Sequence, residues 1–366
     1  MASTSSTTVA LARGAAPANV GRTRASDRRV RPQGLSRGDR AGAWRIEDTL
    51  GTGGMASVYA VVHTRFGKRA ALKLAHPGIL GPQFTADTFL REARVVHLID
   101  HASMPDVFAI GTYDSRPYLV MERLAGRTLG ARLEQGPLER LEAIEILIEV
   151  CDALAAAHAA GVVHRDLKLD NIFLLETPLA GGRRVKLLDW GVSLIVGEPD
   201  PLDGVIAGTL TYVAPEEVRG DAVGPAADIY SLGVLAYHLL AGAPPFHSRN
   251  ELELIRMHLY HDAPPPSEKW PEVPPDLAAL LLRMLAKRPD ERPPLAEVIA
   301  GLEQARRDLQ RATDGAARSW RDIPRFPPLD VLGRPALQLT RKGQRLVAVT
   351  IAAALALAGA LAAISA

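Results

Sequence analysis

The stretch His164-Arg165-Asp166-Leu167-Lys168-Leu169-Asp170-Asn171 sets a histidine, two basic side chains, two carboxylates and a carboxamide between apolar runs. Val162-Val163 precedes it and Ile172-Phe173-Leu174-Leu175 follows. Short apolar runs of this kind read as strands, so the polar residues form a loop held at both ends by a scaffold, where functional side chains concentrate. In such a loop Asp166 can take a proton from a hydroxyl, Lys168 can neutralise a phosphate and Asn171 can hold a metal through its carbonyl oxygen. A solvated turn has the same composition, and the loop alone does not separate the two readings.

Outward from it, Val185-Lys186-Leu187-Leu188 runs into Asp189-Trp190-Gly191. Upstream, Arg45 to Leu50 reads as a strand entering Gly51-Thr52-Gly53-Gly54-Met55-Ala56-Ser57-Val58, with a second strand through Val58, Ala60 and Val62. Glycines there let backbone amides close over phosphate oxygens with no Cβ in the way, although a plain glycine-rich hairpin has the same sequence. No G-x-x-x-x-G-K-[ST] element occurs, so a P-loop is not supported. Ala70-Ala71-Leu72-Lys73-Leu74 is the next strand, and a lysine inside an apolar strand needs a partner. Glu92 supplies one, on a helical face with Phe89, Ala93 and Val96; a structural ion pair or two unrelated charges is the plain alternative. Tyr118 to Met121 is a strand leading into Glu122-Arg123-Leu124-Ala125-Gly126. A helix is expected from about Leu138 to His158 with Gly161 as its stop, and the nearly all-apolar run Asp228 to Leu240 is a helix for the centre of a lobe. Cys151 and His158 fall on the apolar stripe of the first of these and read as packed core residues. No His/Cys spacing suggests zinc.

Taken in order over 44–309, these blocks resemble the protein kinase superfamily, and in particular bacterial serine/threonine protein kinases of eukaryotic type. The loop at 164–171 matches the family's catalytic loop, with Lys168 marking the serine/threonine form. Asp189-Trp190-Gly191 stands where the family has D-F-G, and Gly208-Thr209-Leu210-Thr211-Tyr212-Val213-Ala214-Pro215-Glu216 matches the end of its activation segment. The resemblance implies an α+β bilobal fold, a β-rich N-lobe over a helical C-lobe, with ATP and Mg²⁺ as cofactors. It implies that Leu50, Gly51, Gly53, Gly54 and Val58 cover the nucleotide, and that Ala71, Met121 and the backbone of Glu122 to Leu124 receive the adenine. Lys73, oriented by Glu92, meets the phosphates; Asn171 and Asp189 hold the metal; Asp166, Lys168 and Thr209 serve the acceptor hydroxyl. Asp228 would hold the catalytic-loop backbone, and Glu216 would pair with Arg292. Departures are Ala56 for a glycine, Leu169 for a proline and Trp190 for phenylalanine, the last expected to hinder a flipped-out loop.

A chain of 366 residues, 47% hydrophobic and 23% charged, has room for a two-lobed domain plus tails. Its net charge of +2 argues against a nucleic-acid partner, and its single cysteine excludes an internal disulfide and suits a reducing cytoplasm. Residues 1–43 read as a disordered Arg/Ser/Ala-rich tail and 310–345 as an Arg/Pro-rich linker. No charged residue appears from Leu346 to Ala366, which reads as a transmembrane helix at 346–366; Arg341, Lys342 and Arg345 before it would keep the kinase domain in the cytoplasm. Expected partners are proteins with Ser/Thr acceptors, the membrane, and a second copy for autophosphorylation. Ser193 is the only hydroxyl residue between Gly191 and Gly208, beside the acids Glu198, Asp200 and Asp203. The family often requires a phosphorylated residue there to satisfy an arginine such as Arg165; here a carboxylate is expected to do so, with weak dependence on phosphorylation. The rival readings are a membrane-anchored pseudokinase scaffold, which usually lacks one of Lys73, Asp166 or Asp189, and a small-molecule kinase of the aminoglycoside type, which lacks the Ala-Pro-Glu block.

Overall fold

A computed structural model describes residues 34–78, 85–200 and 209–321, together with the short strands Leu11–Ala12 and Val205–Ile206, which pair antiparallel. The chain divides into two units, Met1–Gln310 and Arg311–Ala366.

In the first unit the strands β1 (Trp44–Thr52), β2 (Ala56–His63), β3 (Arg69–Ala75), β4 (Val107–Tyr113) and β5 (Arg116–Met121) form an antiparallel sheet in the order β1-β2-β3-β5-β4. Helix α1 (Ala86–Ile99) lies between β3 and β4 in sequence; Thr85 caps its start by accepting from the Thr88 amide. Period-two alternation gives the sheet two apolar faces. One buries Ile46, Tyr59, Val61, Leu72, Leu74 and Val120 in a core. On the other, the register sets Val58 opposite Lys73 and Ala71 opposite Met121. Opposed residues of antiparallel strands share a face, so these four look into one cleft. Ala56 stands on this face too, its methyl packed with Ala75, Leu119 and Phe89 of α1. The departure from glycine there adds apolar contact beneath the loop.

Residues just before Trp44 join the sheet: Leu35 is buried in the sheet core, its amide donates to the Tyr59 hydroxyl at 3.1 Å, and Arg40–Ala41 adds an edge strand beside β1. One leucine among Gly, Arg and Asp carries no periodicity to read.

The C-lobe is built on α3 (Arg140–Ala159) and α5 (Pro225–Ala241), joined in one core by the short α2 (Leu129–Leu133) and by α7 (Pro275–Met284). The helix α5 is apolar on nearly every side and is accordingly buried along its length. Pro225 opens it and Gly242, at φ 86°, closes it. At Gly233 a Cβ would lie 2.8 Å from Met284 Cβ, so glycine lets α5 and α7 approach. Cys151 is fully buried in α3, and burial pushes its thiol well above the ordinary range, as an inert packed residue requires. Two small sheets complete the lobe: β6 (Gly126–Thr128), β8 (Ile172–Leu175) and β9 (Val185–Leu187) in the order β9-β8-β6, and β7 (Val162–Val163) with β10 (Leu194–Ile195). Gly126, at φ 145°, is required where β6 meets β8, since a Cβ would sit 2.0 Å from the Leu174 carbonyl.

Helices α4 (Pro215–Arg219) and α6 (Glu251–Tyr260) were not expected from the sequence, and α8 runs Leu295–Arg321, into the stretch expected to be linker. Its extension, Gln-Arg-Ala-Thr-Asp-Gly-Ala-Ala-Arg, is mostly good helix formers, which outweighed the arginine-rich composition. The expected span at 346–366 and most of the expected tail lie outside the described residues. Among the described residues no helix is long and apolar enough to cross a membrane.

Arg292 meets Glu216 through two bonds, Nη1 to Oε1 at 2.6 Å and Nη2 to Oε2 at 2.8 Å, with both side chains almost wholly buried. The same guanidinium donates to the carbonyls of Ala226 and Ala286. We expect Arg292→Met to lower stability by about 3–5 kcal/mol in urea unfolding, because Glu216 is left buried and unpaired. Adding Glu216→Leu should recover much of the loss; a double variant as unstable as the single one would contradict this account.

Candidate active site

The site rests on Asp228 at the start of α5, which has no exposed surface. Its Oδ1 accepts the Arg165 amide at 2.9 Å, and its Oδ2 accepts the His164 amide at 2.9 Å and lies 2.8 Å from His158 Nε2. Burial would raise its pKa, but these donors reverse the effect and hold the carboxyl below the ordinary range. His158, read from sequence as a packed histidine, is thus part of the support. With its backbone pinned, Arg165 sits in the left-handed region at φ 67°, a conformation costing about 1–2 kcal/mol outside glycine. Asp189 does the same at φ 62°. Strain of this kind persists only where surrounding contacts over-determine it.

The loop so shaped presents Asp166. Its Oδ2 accepts Lys168 Nζ at 2.7 Å and Asn171 Nδ2 at 3.0 Å; Asn171 Nδ2 also donates to the Asp166 carbonyl at 2.8 Å. Burial raises the Asp166 pKa, with Lys168 opposing and the charge of Asp189 adding to the rise. The two carboxylates are therefore close enough to feel each other.

From the sheet side, Lys73 Nζ donates to Glu92 Oε2 at 2.7 Å and to Asp189 Oδ1 at 2.8 Å. Burial pulls the ammonium toward neutrality, but Asp189 and Glu92 together outweigh it and its pKa lies well above the ordinary lysine value. Lys73 in turn holds Asp189 below the carboxylate range, whereas burial raises Glu92. The direct bond between Lys73 and Glu92 decides against two unrelated surface charges, and Asp189 adds a partner from outside the sheet. Trp190 is fully buried beside His164, ring centroids 4.3 Å apart, with its indole N–H donating to the Leu187 carbonyl at 3.3 Å. It belongs to the same buried cluster as Val95, Val96 and Ile99 of α1.

The expected nucleotide-facing residues fall around the cleft. Gly51 opposes Val58 in the β1–β2 hairpin, Gly53 donates to the Ala56 carbonyl at 2.9 Å, and Gly54 and the half-exposed Leu50 lie on the same hairpin. Ala71 and Met121 share the cleft face; Glu122 and Leu124 follow in the connection to the C-lobe. Thr209 is less fully placed: its carbonyl accepts the Tyr212 amide at 3.0 Å, and among the described contacts its hydroxyl bonds neither Asp166 nor Lys168.

The donor set suits Mg²⁺. Asn171 spends its amide nitrogen on Asp166, which leaves its carbonyl oxygen as the atom to offer a cation, and the Lys73 ammonium favours the charged form of Asp189. Among the described residues no group of three His, Cys, Asp or Glu forms a self-sufficient metal cage. That is the pattern of a hard cation taking one carboxylate and one amide oxygen from protein and the rest from phosphates and water.

Sequence reasoning passed over two residues. Lys186, buried in β9, donates to Glu122 Oε2 at 2.7 Å and to the Met104 carbonyl at 2.8 Å. Its signal was the one that singled out Lys73, a lysine inside an apolar strand. Glu217 accepts from Arg165 Nε at 3.2 Å and from the Ala214 amide at 3.2 Å; nothing in its sequence context marks it.

Burial pushes Glu217 up to about 7, against the pull of Arg165 and the Ala214 amide. A carboxyl whose folded pKa exceeds its ordinary 4.5 binds its proton more tightly in the native state. Its contribution is full below about 4.5 and is lost as pH rises through about 7, a change of roughly 3 kcal/mol. We expect Glu217→Gln to flatten the fall in stability across that window in urea titrations at stepped pH. An unchanged slope would assign the titration to another group.

Comparison with known proteins agrees with this geometry. The protein kinase domain pattern matches residues 44–301. The serine/threonine-protein kinase Pkn1 of Myxococcus xanthus is 40% identical over 257 residues, covering 70% of this chain and 37% of its own length. A probable serine/threonine-protein kinase PknB of Corynebacterium glutamicum is 33% identical over 300 residues, 78% of this chain and 45% of its own. The chain thus spans less than half the length of these two relatives. The crystal structure of the Mycobacterium tuberculosis PknI kinase domain superposes with a TM-score of 0.58 at 27% identity, covering 74% of this chain and 99% of that domain. The loop pinned by Asp228, the lysine shared by two carboxylates and the match over 44–301 together place the chain in the protein kinase domain family.

Proposed function

We propose that the chain is a protein-serine/threonine kinase that transfers the γ-phosphoryl group of ATP to a serine or threonine hydroxyl of a protein. The observation that carries this reading is the meeting of Lys73, Glu92, Asp189, Asp166, Lys168 and Asn171 around one cleft, although they come from distant stretches of sequence. The names of the relatives support the serine/threonine class, as does Lys168 two residues after Asp166.

Lys73, kept charged and aimed by Glu92, holds the α- and β-phosphates. Mg²⁺ on Asp189 and Asn171 would offset the negative charge of the phosphate chain. Asp166 orients the acceptor hydroxyl and takes its proton as the oxygen–phosphorus bond forms; its raised pKa makes it a stronger base than a free aspartate. Lys168, 2.7 Å from Asp166, faces the negative charge that develops on the moving group. The bond to ADP breaks in the same in-line displacement. A scaffold that binds without transferring would share the fold, but the complete set at 73, 166 and 189 favours catalysis.

The proposal includes a membrane tether at 346–366 with the kinase domain on the cytoplasmic side. Its support is the uncharged run from Leu346 and the basic residues Arg341, Lys342 and Arg345.

Asp166→Asn should lower transfer to a Ser/Thr peptide by about 10²–10⁴-fold while nucleotide binding persists. Transfer at the wild-type rate would remove Asp166 from its role. In cell fractionation the full chain should stay in the membrane pellet through a high-salt wash, and a chain stopped after Arg345 should be released. A full chain that washes off would sink the tether.

A further inference from the structure

Arg165 is the charge in the site that most needs a counter-ion. Its side chain is only 5% exposed, and a buried guanidinium is costly unless an anion meets it. Two carboxylates do: Asp200 Oδ1 at 2.5 Å from Nη1, and Glu217 Oε1 at 3.2 Å from Nε. Burial weakens the second as a counter-charge, since it favours the protonated carboxyl of Glu217. The segment after Asp189-Trp190-Gly191 therefore supplies the better anion.

Two residues earlier the same segment is tied to the other lobe. Glu198 Oε1 lies 2.6 Å from Arg94 Nη2, and its Oε2 lies 3.3 Å from Arg94 Nη1 and 3.3 Å from Arg91 Nη1. Arg91 also donates through Nε to the Ser193 carbonyl at 3.3 Å. Arg91 and Arg94, three apart, project from one side of α1 and bracket Glu92 in sequence. A hold on that side fixes the rotation of the helix about its axis, and with it the direction of Glu92. Only Pro199 separates the two carboxylates, and its ring fixes φ, which limits how far they can shift against each other. Ser193, the sole hydroxyl residue between Gly191 and Gly208, is fully buried and donates to the Trp190 carbonyl at 2.7 Å, so no modifying enzyme can reach it as folded.

We infer that Glu198-Pro199-Asp200 is a built-in anionic clip: Asp200 positions the catalytic loop through Arg165, and Glu198 positions α1 through Arg91 and Arg94. The catalytic loop and the helix that aims Lys73 are aligned together without phosphate on this segment. The inference rests on the kinase reading above and names how that site is kept in register.

The test uses the full chain, treated with phosphatase and shown by mass spectrometry to carry no phosphate from residue 191 to 216. Its initial rate on a Ser/Thr peptide should stay within about twofold of the untreated protein. Asp200→Asn should lower kcat about 10–100-fold with KM for ATP little changed, as for loss of one charge-assisted bond, and Asp200→Glu should restore most of it. Glu198→Gln should cost about tenfold, and the exchange Arg94→Glu with Glu198→Arg should recover activity that either change alone removes. Melting curves separate these effects from unfolding, and the restoring variants keep the test decisive if Asp200→Asn folds poorly. Dephosphorylated protein that loses activity, or an Asp200→Asn variant with wild-type kcat, overturns the clip and leaves the kinase reading standing. Untreated wild-type protein that labels no peptide overturns the kinase reading, and the clip with it.

Discussion

The ammonium of Lys73 is the charge on which the two lobes agree. It sits on the inner face of the N-lobe sheet, where burial alone would neutralise it, and it stays charged because Glu92 and Asp189 both reach it. Asp189 is 116 residues away in sequence and arrives from the C-lobe. Removing either carboxylate leaves an ion in a poorly solvated place, a change worth several kcal/mol. The cleft is therefore closed by electrostatic necessity as well as by packing. Any displacement of α1 or of the Asp189 turn is felt first as a lost bond to this nitrogen.

A second constraint lies below it. The catalytic loop carries Arg165 in a conformation that L-amino acids resist, and Asp228 makes that conformation the satisfied one by taking the successive amides of His164 and Arg165. The strain at Arg165 is small beside the cost of stranding a buried carboxylate and its donors, so the loop is held. Trp190 is fully buried in the same core cluster as Val95, Val96 and Ile99 of α1, and its indole N–H finds the Leu187 carbonyl, so the bulk of tryptophan costs no unpaired donor. Position in this site thus rests on buried polar bonds, those of Asp228 and of the Trp190 indole above all.

How much of this could be read from the chain depends on whether a residue's signal is local. The loop at 164–171, the glycine hairpin and the apolar run of α5 announce themselves through composition and period. Lys73 was legible because a charge inside an apolar strand demands an explanation, and Glu92 because it shares a helical face with Phe89 and Val96. Lys186 carries the same local signal, a charge inside an apolar strand. Leu35 was illegible: its burial depends on the Tyr59 hydroxyl and the outer face of the sheet, which no window around residue 35 reveals. The length of α8 was hidden by composition, since arginine favours helices and linkers alike. Asp200 was legible as one of three acids placed to meet Arg165, whereas Glu217 is a surface-like acid by sequence and matters only because Arg165 is turned inward by a backbone angle that no pattern encodes.

The connection between the lobes has one further property. Lys186 engages the carboxylate of Glu122, which also accepts the amide of Asp106 at 3.4 Å. With that side chain so occupied, a nucleobase at this connection would be left the peptide groups to read. Peptide groups offer the same donors and acceptors whichever residue carries them. Selectivity for the base is then a matter of where the main chain runs, and the acid–lysine pair acts as the strut that keeps that course fixed.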